Sequence, residues 1–571
     1  MFNKEQWLDH LIHATPVEGY GNRMSMFLIS LEAWRRGIDV KYYTIDNPEN
    51  KLLVRYALSH NGRTIRFNSS LSYQLPEATY NLCQDKDQAK KRLAECGIRV
   101  PKGEKLSKDT ELDDLAKLAN ALTYPVVMKP VSENAGQGVF SNITDEQMLF
   151  DVFAYLTEEL KYDEVILEEF IPGEEHRILT VGNKVVGVVK RVPANIVGNG
   201  KDTIKKLIRE KNKSKQFNPV ISKKTIDIDK EVQNQLTKAG YELDDILEEG
   251  KRLYLRSKSN ISTGGDPIDV MDEIDPSVIE MSKKATEAIP GLELAGIDMM
   301  IDPETNEKAI IEVNTRPMIG LHVFPTEGKP RDVVKDIVDF YFPETKDIER
   351  SRLYFDFGKV TSSLDGVVTK EVVLQSIIPK PYFAKRYLIS IEEKRQQFRR
   401  DIRRNALIEG LSGYAKNAGQ NYIEVILAHP IETKVNSFFA TYYQDSNYTF
   451  DIEEEEVWQY PVSIGFTTAT HSDNIVLAEK MIKDSNEKIK KLNKTHQAEK
   501  AQMIQQLDEE RSQVSIYKKA FIKIERQKNT LKVNQKKQKT MLNKQKQEIE
   551  KLKEELNRKW YRRLIKSKRI Q

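Results

Sequence analysis

The sequence predicts an α+β protein of several domains, closed by one long C-terminal helix. Three observations carry that prediction. Up to residue 343, apolar runs of strand length alternate with amphipathic stretches of helical period. A second, shorter block of strand and helix patterns occupies residues 381–470. From Asn474 onward, apolar residues recur every seven positions in a strongly charged background. The 571 residues leave room for about three or four domains. A content of 39% hydrophobic and 31% charged residues fits a globular protein with a polar extension. No apolar run reaches the ~18 residues of a membrane span. The opening MFNKEQWLDHLIHA lacks the apolar core of a secretory signal, so a cytoplasmic protein is expected. Cys83 and Cys96 are too few for a disulfide framework or a zinc cluster, and both are expected to pack in the core. A net charge of +4 over this length does not point to nucleic acid, and none is expected as a partner.

Residues 1–80 read as a small α/β domain with no visible chemistry. Asp85-Lys86 opens an amphipathic helix that stops at Gly97, with Pro101 shortly beyond. YPVVMKP (124–130) is a short buried strand ending in Lys129. The loop after it, SENAGQGV (132–139), carries Gly136 and Gly138. Glycines let backbone N–H groups approach a phosphate closely, and a lysine at the strand end can neutralise it. No Gly-Lys-Ser/Thr follows, so this is not a Walker A loop; taken alone, the pattern also fits an ordinary turn. VILEEFIPGEEHR (165–177) is a further strand leaving through a turn, and a hairpin follows with its turn at Gly182-Asn183.

GIDMMIDPETNEKAIIEVNTRP (296–317) reads as two apolar strands joined by a turn at Asp302, Pro303 and Asn306. Glu312 and Asn314 stand two apart on the second strand and therefore project from one face. Asp298, at the end of the first apolar run, can reach the same face. Two carboxylates and an amide oxygen suit a hard divalent cation such as Mg²⁺, which prefers oxygen ligands and is commonly shared with phosphates. Spacing alone also fits a surface hairpin with exposed acids.

Taken together, Lys86, VVMKP, the Gly136/Gly138 loop, VILEEFIPGEEHR and IIEVN stand in the order of an ATP-grasp ligase, which residues 81–343 resemble. KRVPANIVGNGKDTIKKLI (190–208) and RSKSNISTGGDPIDVMDEI (256–274) make the region similar to the ATP-grasp part of cyanophycin synthetase and of bifunctional glutathione synthetase. The resemblance implies ATP and Mg²⁺ or Mn²⁺ as cofactors. It implies that Lys86 and Lys129 contact phosphates under the Gly136–Gly138 loop, that Glu168 lies at the adenine hinge, and that Glu175 takes the ribose hydroxyls. Asp298, Glu312 and Asn314 would hold the metals. A substrate carboxylate, from an amino acid or peptide, would attack the γ-phosphate to give an acyl phosphate, which an amine then captures. Arg177, Arg256 and Arg316 are the candidates for holding the carboxylate and the acyl phosphate in two-point fashion, Arg256 and Arg316 also for the catalytic step. Neither a second P-loop after residue 343 nor a long leading ligase domain is present, so the resemblance implies a reaction type without naming the substrate.

Residues 344–380 read as a connector. Residues 381–470 are expected to form a ferredoxin-like βαββαβ sandwich. GYAKN (413–417) and Phe398-Arg399 resemble the two signatures of acylphosphatases, which implies that Arg399 binds phosphate and Asn417 orients water. The loop before Arg399, EEKRQQ (392–397), lacks the glycines of that family and carries two acids. Two alternatives therefore stand beside the ligase: an acyl-phosphate hydrolase working at Arg399 and Asn417, with the ATP-grasp part regulatory, and a retired scaffold.

Ile475, Ile482 and Ile489 begin one seven-residue series, and Leu507, Val514, Phe521, Leu542, Ile549 and Leu556 mark a second. This predicts a coiled coil over 471–557 and homo-oligomers through it. The tail, 558–571, is basic with Trp560 and Tyr561, a composition suited to the surface of an anionic membrane and to a peripheral location there.

Overall fold

The computed structural model describes residues 7–46, 52–131, 138–366, 368–377, 380–419, 421–444, 447–468, 503, 528, 531–532 and 534–559. The chain divides into two units at Asn474, and each is described by itself.

The centre of the first unit is an antiparallel sheet in the order Asp266–Asp269, Lys184–Val192, Glu174–Val181, Leu294–Ile301, Lys308–Asn314. Leu294–Ile301 is buried along almost its whole length, as a continuous apolar run in a covered sheet should be. The turn that follows is made by side chains: Asp302 Oδ1 accepts from the Glu304 amide at 2.8 Å, and Asn306 takes the left-handed conformation at φ 58°. One face of this sheet is covered by the helices Lys86–Glu95 and Pro276–Ala288, which share a core with Ile178, Val188, Ile297 and Ile310. Cys83 lies in that core, whereas Cys96 is exposed at the helix end, contrary to the expectation for it. Gly97 in the left-handed region turns the chain there.

A smaller antiparallel sheet runs Gly103–Ser107, Glu164–Glu169, Val126–Pro130, Phe140–Ile143. The helix Lys86–Glu95 serves both sheets. Asp85 caps it by accepting from the Asp87 and Gln88 amides, each at 3.1 Å.

The N-terminal sheet runs Glu371–Val373, Asp39–Asp46, Leu52–His60, Arg63–Asn68, Leu71–Ser72. The expected connector is part of this domain. Glu371–Val373 adds the sheet's first strand, and Phe355, Phe357, Val360 and Leu364 pack against Phe27, Trp34 and Tyr42. These residues carry enough apolar side chains to be buried, and a linker would not.

Residues 383–467 place their strands in the order Asp451–Val457, Phe383–Ser390, Tyr422–His429, Ser412–Asn417, Phe466–Thr467, with the helices Arg395–Ile408 and Glu432–Tyr443. The expected βαββαβ order holds four strands, and this sheet has five. Asp451–Val457 is exposed throughout and rich in glutamate; Lys385 and Arg386 on the neighbouring strand hold Glu455, Glu454 and Glu456. Ala384, Ile426 and Ala428 join the core of the N-terminal domain.

In the second unit the described residues 534–559 are helical and exposed on every side. The seven-residue series before 528 and the tail from Trp560 lie outside the described residues, except Met503.

Candidate active site

The site is built where the central hairpin, its neighbouring strands and the helix Lys86–Glu95 meet. Pairing in the sheet puts Asp298 directly opposite Glu312 on one side and Arg177 on the other. Residues opposite one another share a face, so all three project together. A β-bulge beside this pair leaves Ile311 as an extra residue in the second strand, the kind of irregularity that re-aims side chains next to active sites.

Asp298 is 5% exposed. Arg177 clamps its carboxylate with Nε on Oδ1 and with Nη2 on Oδ2 at 2.8 Å. Arg191 Nη1 stands 3.4 Å from Oδ2, and Asn314 Nδ2 donates to the same oxygen at 3.5 Å. Burial works to raise this carboxyl, but the two arginines outweigh it and hold it below the usual carboxylate range. Arg191 also donates to Glu175 Oε1 at 2.5 Å, opposite it in the hairpin register. Burial keeps the Glu175 carboxyl above its ordinary value, with Asp298 adding to the rise and Arg191 opposing it. Gly296 makes room for this cluster, since a Cβ there would stand 3.0 Å from Arg177 Nη1 and 2.9 Å from Pro317 Cβ.

Glu312 is half-buried and lies 4.0 Å from Lys86 Nζ. One turn on, Lys90 projects from the same helix face toward the other sheet. There Lys90 and Lys129 take one oxygen each of Glu168. Val127 is opposite Glu168 in the strand pairing, so Lys129 is its diagonal neighbour. Burial would raise the Glu168 carboxyl, and the two lysines reverse that and lower it. Gly138 closes the loop after this strand at φ 66°, where a Cβ would meet Pro130 Cγ at 2.9 Å; Gly136 lies outside the described residues.

The structure therefore brings Lys86, Lys129, Glu168, Glu175, Arg177, Asp298, Glu312 and Asn314 into two adjoining clusters. It does not bring Arg256 or Arg316 into their hydrogen bonding. Arg256 is held by Asp229 at 2.7 Å, Glu231 at 2.6 Å and the Thr263 carbonyl at 3.1 Å, and Arg316 is exposed. Arg399 donates to the carbonyls of Ala415, at 3.0 Å, and Thr468, while Asn417 is exposed.

Three residues escaped the sequence reading. Lys90 carried a signal, its i, i+4 spacing from Lys86. Arg191 carried none: the Gly182-Asn183 turn pairs Lys184 with Val181, which alone would set Lys190 opposite Glu175, and the β-bulge between Val185 and Gly187 shifts Arg191 into that place. His322 carried none: it is fully buried, neither ring nitrogen has a hydrogen bond, and burial with Arg177 and Arg191 nearby lowers its pKa to about 3.

Oxygen ligands for a divalent cation are present in Asp298, Glu312 and Asn314, and a metal bound there would polarise phosphate oxygens. Among the described residues no group of three or more His, Cys, Asp or Glu side chains is arranged to hold a metal.

Residues 83–319 match the family model of the ATP-grasp domain. This chain carries an ATP-grasp domain. Over 296 residues it is 34% identical to cyanophycin synthetase of Geminocystis herdmanii, covering 50% of this chain and 33% of that protein. It is 34% identical over 333 residues to the glutathione biosynthesis bifunctional protein GshAB of Clostridium perfringens, covering 56% of this chain and 41% of that one. A solved bifunctional glutathione synthetase from Pasteurella multocida shares 25% identity at a TM-score of 0.41, over 56% of this chain and 44% of that chain. The chain thus spans less than half the length of these relatives. No helix among the described residues is long and apolar enough to cross a membrane.

Proposed function

We propose that the chain is an ATP- and Mg²⁺-dependent ligase that joins the carboxylate of an amino acid or peptide to an amine through an acyl phosphate. The observation that carries this reading is the pairing of Asp298 with Glu312 across one hairpin, beside the lysines Lys86, Lys90 and Lys129. Phosphoryl transfer to a carboxylate brings anions together, so it needs cations aimed at the developing charge. In this reading Lys86 and Lys129 hold phosphates. Glu312, Asn314 and Asp298 would hold the metal, which would screen the charge of the triphosphate, and Arg177 is the candidate for the substrate carboxylate. Glu168 and Glu175 position adenine and ribose.

The test is release of inorganic phosphate by the purified chain, given ATP and Mg²⁺ with amino acids, dipeptides or cell-wall precursors. Release that depends on both an acid and an amine supports the reading. Absence of ATP binding in calorimetry with Mg²⁺ or Mn²⁺ ends it.

The hydrolase alternative has less behind it. The Arg399 guanidinium is engaged with two backbone carbonyls, and exposed Glu392 and Glu393 stand at the start of its helix. Benzoyl phosphate cleavage by the full chain carrying E312Q, lost on R399A, would restore it.

For the second unit we propose a parallel pair with a second copy. Leu542, Ile549 and Leu556 occupy one core position of the repeat and Leu552 the other, and all are exposed. The flanking positions hold Lys539, Lys546 and Lys553 on one side and Glu548 and Glu555 on the other. Parallel strands set Glu548 against Lys553 of the second copy, whereas antiparallel strands set like charges together. A monomer in sedimentation equilibrium of the full chain would remove this reading.

A further inference from the structure

Glu168 has two lysine partners, and the ligase reading assigns a task to only one of them. Lys129 closes its strand beside the Gly138 loop. Lys90 comes from a different element, the helix Lys86–Glu95, and takes the other carboxylate oxygen. The side chains are 11% exposed for Lys90, 8% for Lys129 and 5% for Glu168. A buried carboxylate stripped of its cation is strongly unfavourable, and one lysine suffices to prevent that. The second leaves the cluster net positive away from water. Burial, with Lys129 adding to it against the pull of Glu168, presses the Lys90 ammonium down to about 8. Excess positive charge in a buried pocket is a site that an anion completes.

We propose that Lys90 is a positioning residue for nucleotide binding: it keeps Glu168 paired, so that Lys129 can leave Glu168 for a nucleotide phosphate. The inference rests on ATP binding at this site. Without Lys90, Glu168 has only Lys129, and a phosphate must compete with a buried carboxylate for one cation. Adenosine has no phosphate and makes no demand on Lys129, so its affinity does not depend on Lys90. Neutralising Glu168 removes the competition by another route.

The test is calorimetric affinity for ATP and for adenosine, in the full chain and in K90M, K90R, E168Q and K90M/E168Q. K90M should weaken ATP about 10- to 100-fold, the worth of one hydrogen bond to a charged group, and leave adenosine unchanged. K90R should retain ATP affinity, and K90M/E168Q should regain the preference for ATP over adenosine, since losing the Glu168 contact to adenine affects both ligands alike. If K90M fails to fold, E168Q alone decides, because freeing both lysines should raise the preference for ATP over adenosine. A wild-type chain that binds no ATP overturns the ATP-site reading and this inference together. A wild-type chain that binds ATP, with K90M equal to it, overturns the inference alone. So does a K90M that loses ATP and adenosine alike without rescue, or an E168Q whose preference for ATP falls.

Discussion

Replacing Asp298 and Glu312 in turn separates what the site does for chemistry from what it does for the fold. Both residues are candidate metal ligands, on facing positions of one hairpin, yet their surroundings differ. Asp298 is 5% exposed and is the carboxylate that Arg177 clamps. D298N leaves that buried guanidinium without an anion, while Arg191 keeps Glu175. Breaking a buried ion pair in this way costs about 3–5 kcal/mol. Glu312 is a third exposed on its side chain, and its nearest cation is 4.0 Å away, so E312Q should cost at most about 1 kcal/mol. Activity should not follow stability. Each change replaces a carboxylate proposed to bind the metal with an uncharged amide, and ATP-dependent phosphate release should fall about 100-fold or more in both. Urea unfolding followed by tryptophan fluorescence reads the first quantity, and a phosphate-release assay the second. A D298N chain as stable as E312Q refutes the clamp, and normal phosphate release by E312Q refutes the hairpin as the metal site.

Acid should weaken the fold through His322 and His10, whose folded pKa values are lowered to about 3 by burial, from an ordinary 6.5. The unfolded chain takes up those protons first, so the stability is present above about 6.5 and drains away as pH falls toward 3, at up to ~1.4 kcal/mol per pH unit for each group. H322F should flatten this dependence of the urea midpoint between pH 7 and 5, and an unchanged slope removes His322 as its source. G296A forces Arg177 or Pro317 to move from contacts of 3.0 and 2.9 Å, for about 1–3 kcal/mol of overpacking; urea unfolding that matches wild type shows the space is not needed. In the second unit, E548K should weaken self-association by sedimentation and E548K/K553E should restore it, whereas two equal curves would exclude the parallel pairing.

The hairpin at Asp298 was legible because strand alternation and a turn rich in Asp, Pro and Asn act over a few residues. The helix from Lys86 was legible for the same reason, with its cap and glycine stop. What sequence could not show was the use of long-range partners. Arg177 reads as a free substrate anchor, yet folding sets it opposite Asp298, which holds it in the ligand-free chain. Arg256 reads likewise, and Asp229 and Glu231 hold it. Residues 344–380 read as a connector because their apolar residues find a core only in a sheet some 300 residues earlier, where Val373 pairs with Lys41. Asp451–Val457 escaped notice because a run of glutamates has poor intrinsic strand propensity; its strand is set by lysine and arginine on the neighbour. Tertiary context overruled local preference at each of these places.

Under the proposed ligase reading, the same pairings set an expected order of ligand entry. Asp298, Glu175, Glu168 and Glu312 face Arg177, Arg191, Lys90, Lys129 and Lys86, so five cations stand against four carboxylates. A divalent cation arriving alone adds positive charge to a site already in excess of it, and must also displace the arginines from Asp298. Arriving with a triphosphate, it would bring a surplus of negative charge toward Lys86 and Lys129, and Asp298 would be among the residues that hold it. Titration of Mg²⁺ or Mn²⁺ into the free chain should therefore show no binding tighter than about millimolar, given that Mg²⁺ dehydrates reluctantly and is bound with substrate phosphates. With ATP present, the same titration should saturate at far lower concentration. Tight metal binding without nucleotide would mean that Asp298 is not committed to Arg177 in solution, and that the charge pairing described for the free site is not what holds it closed.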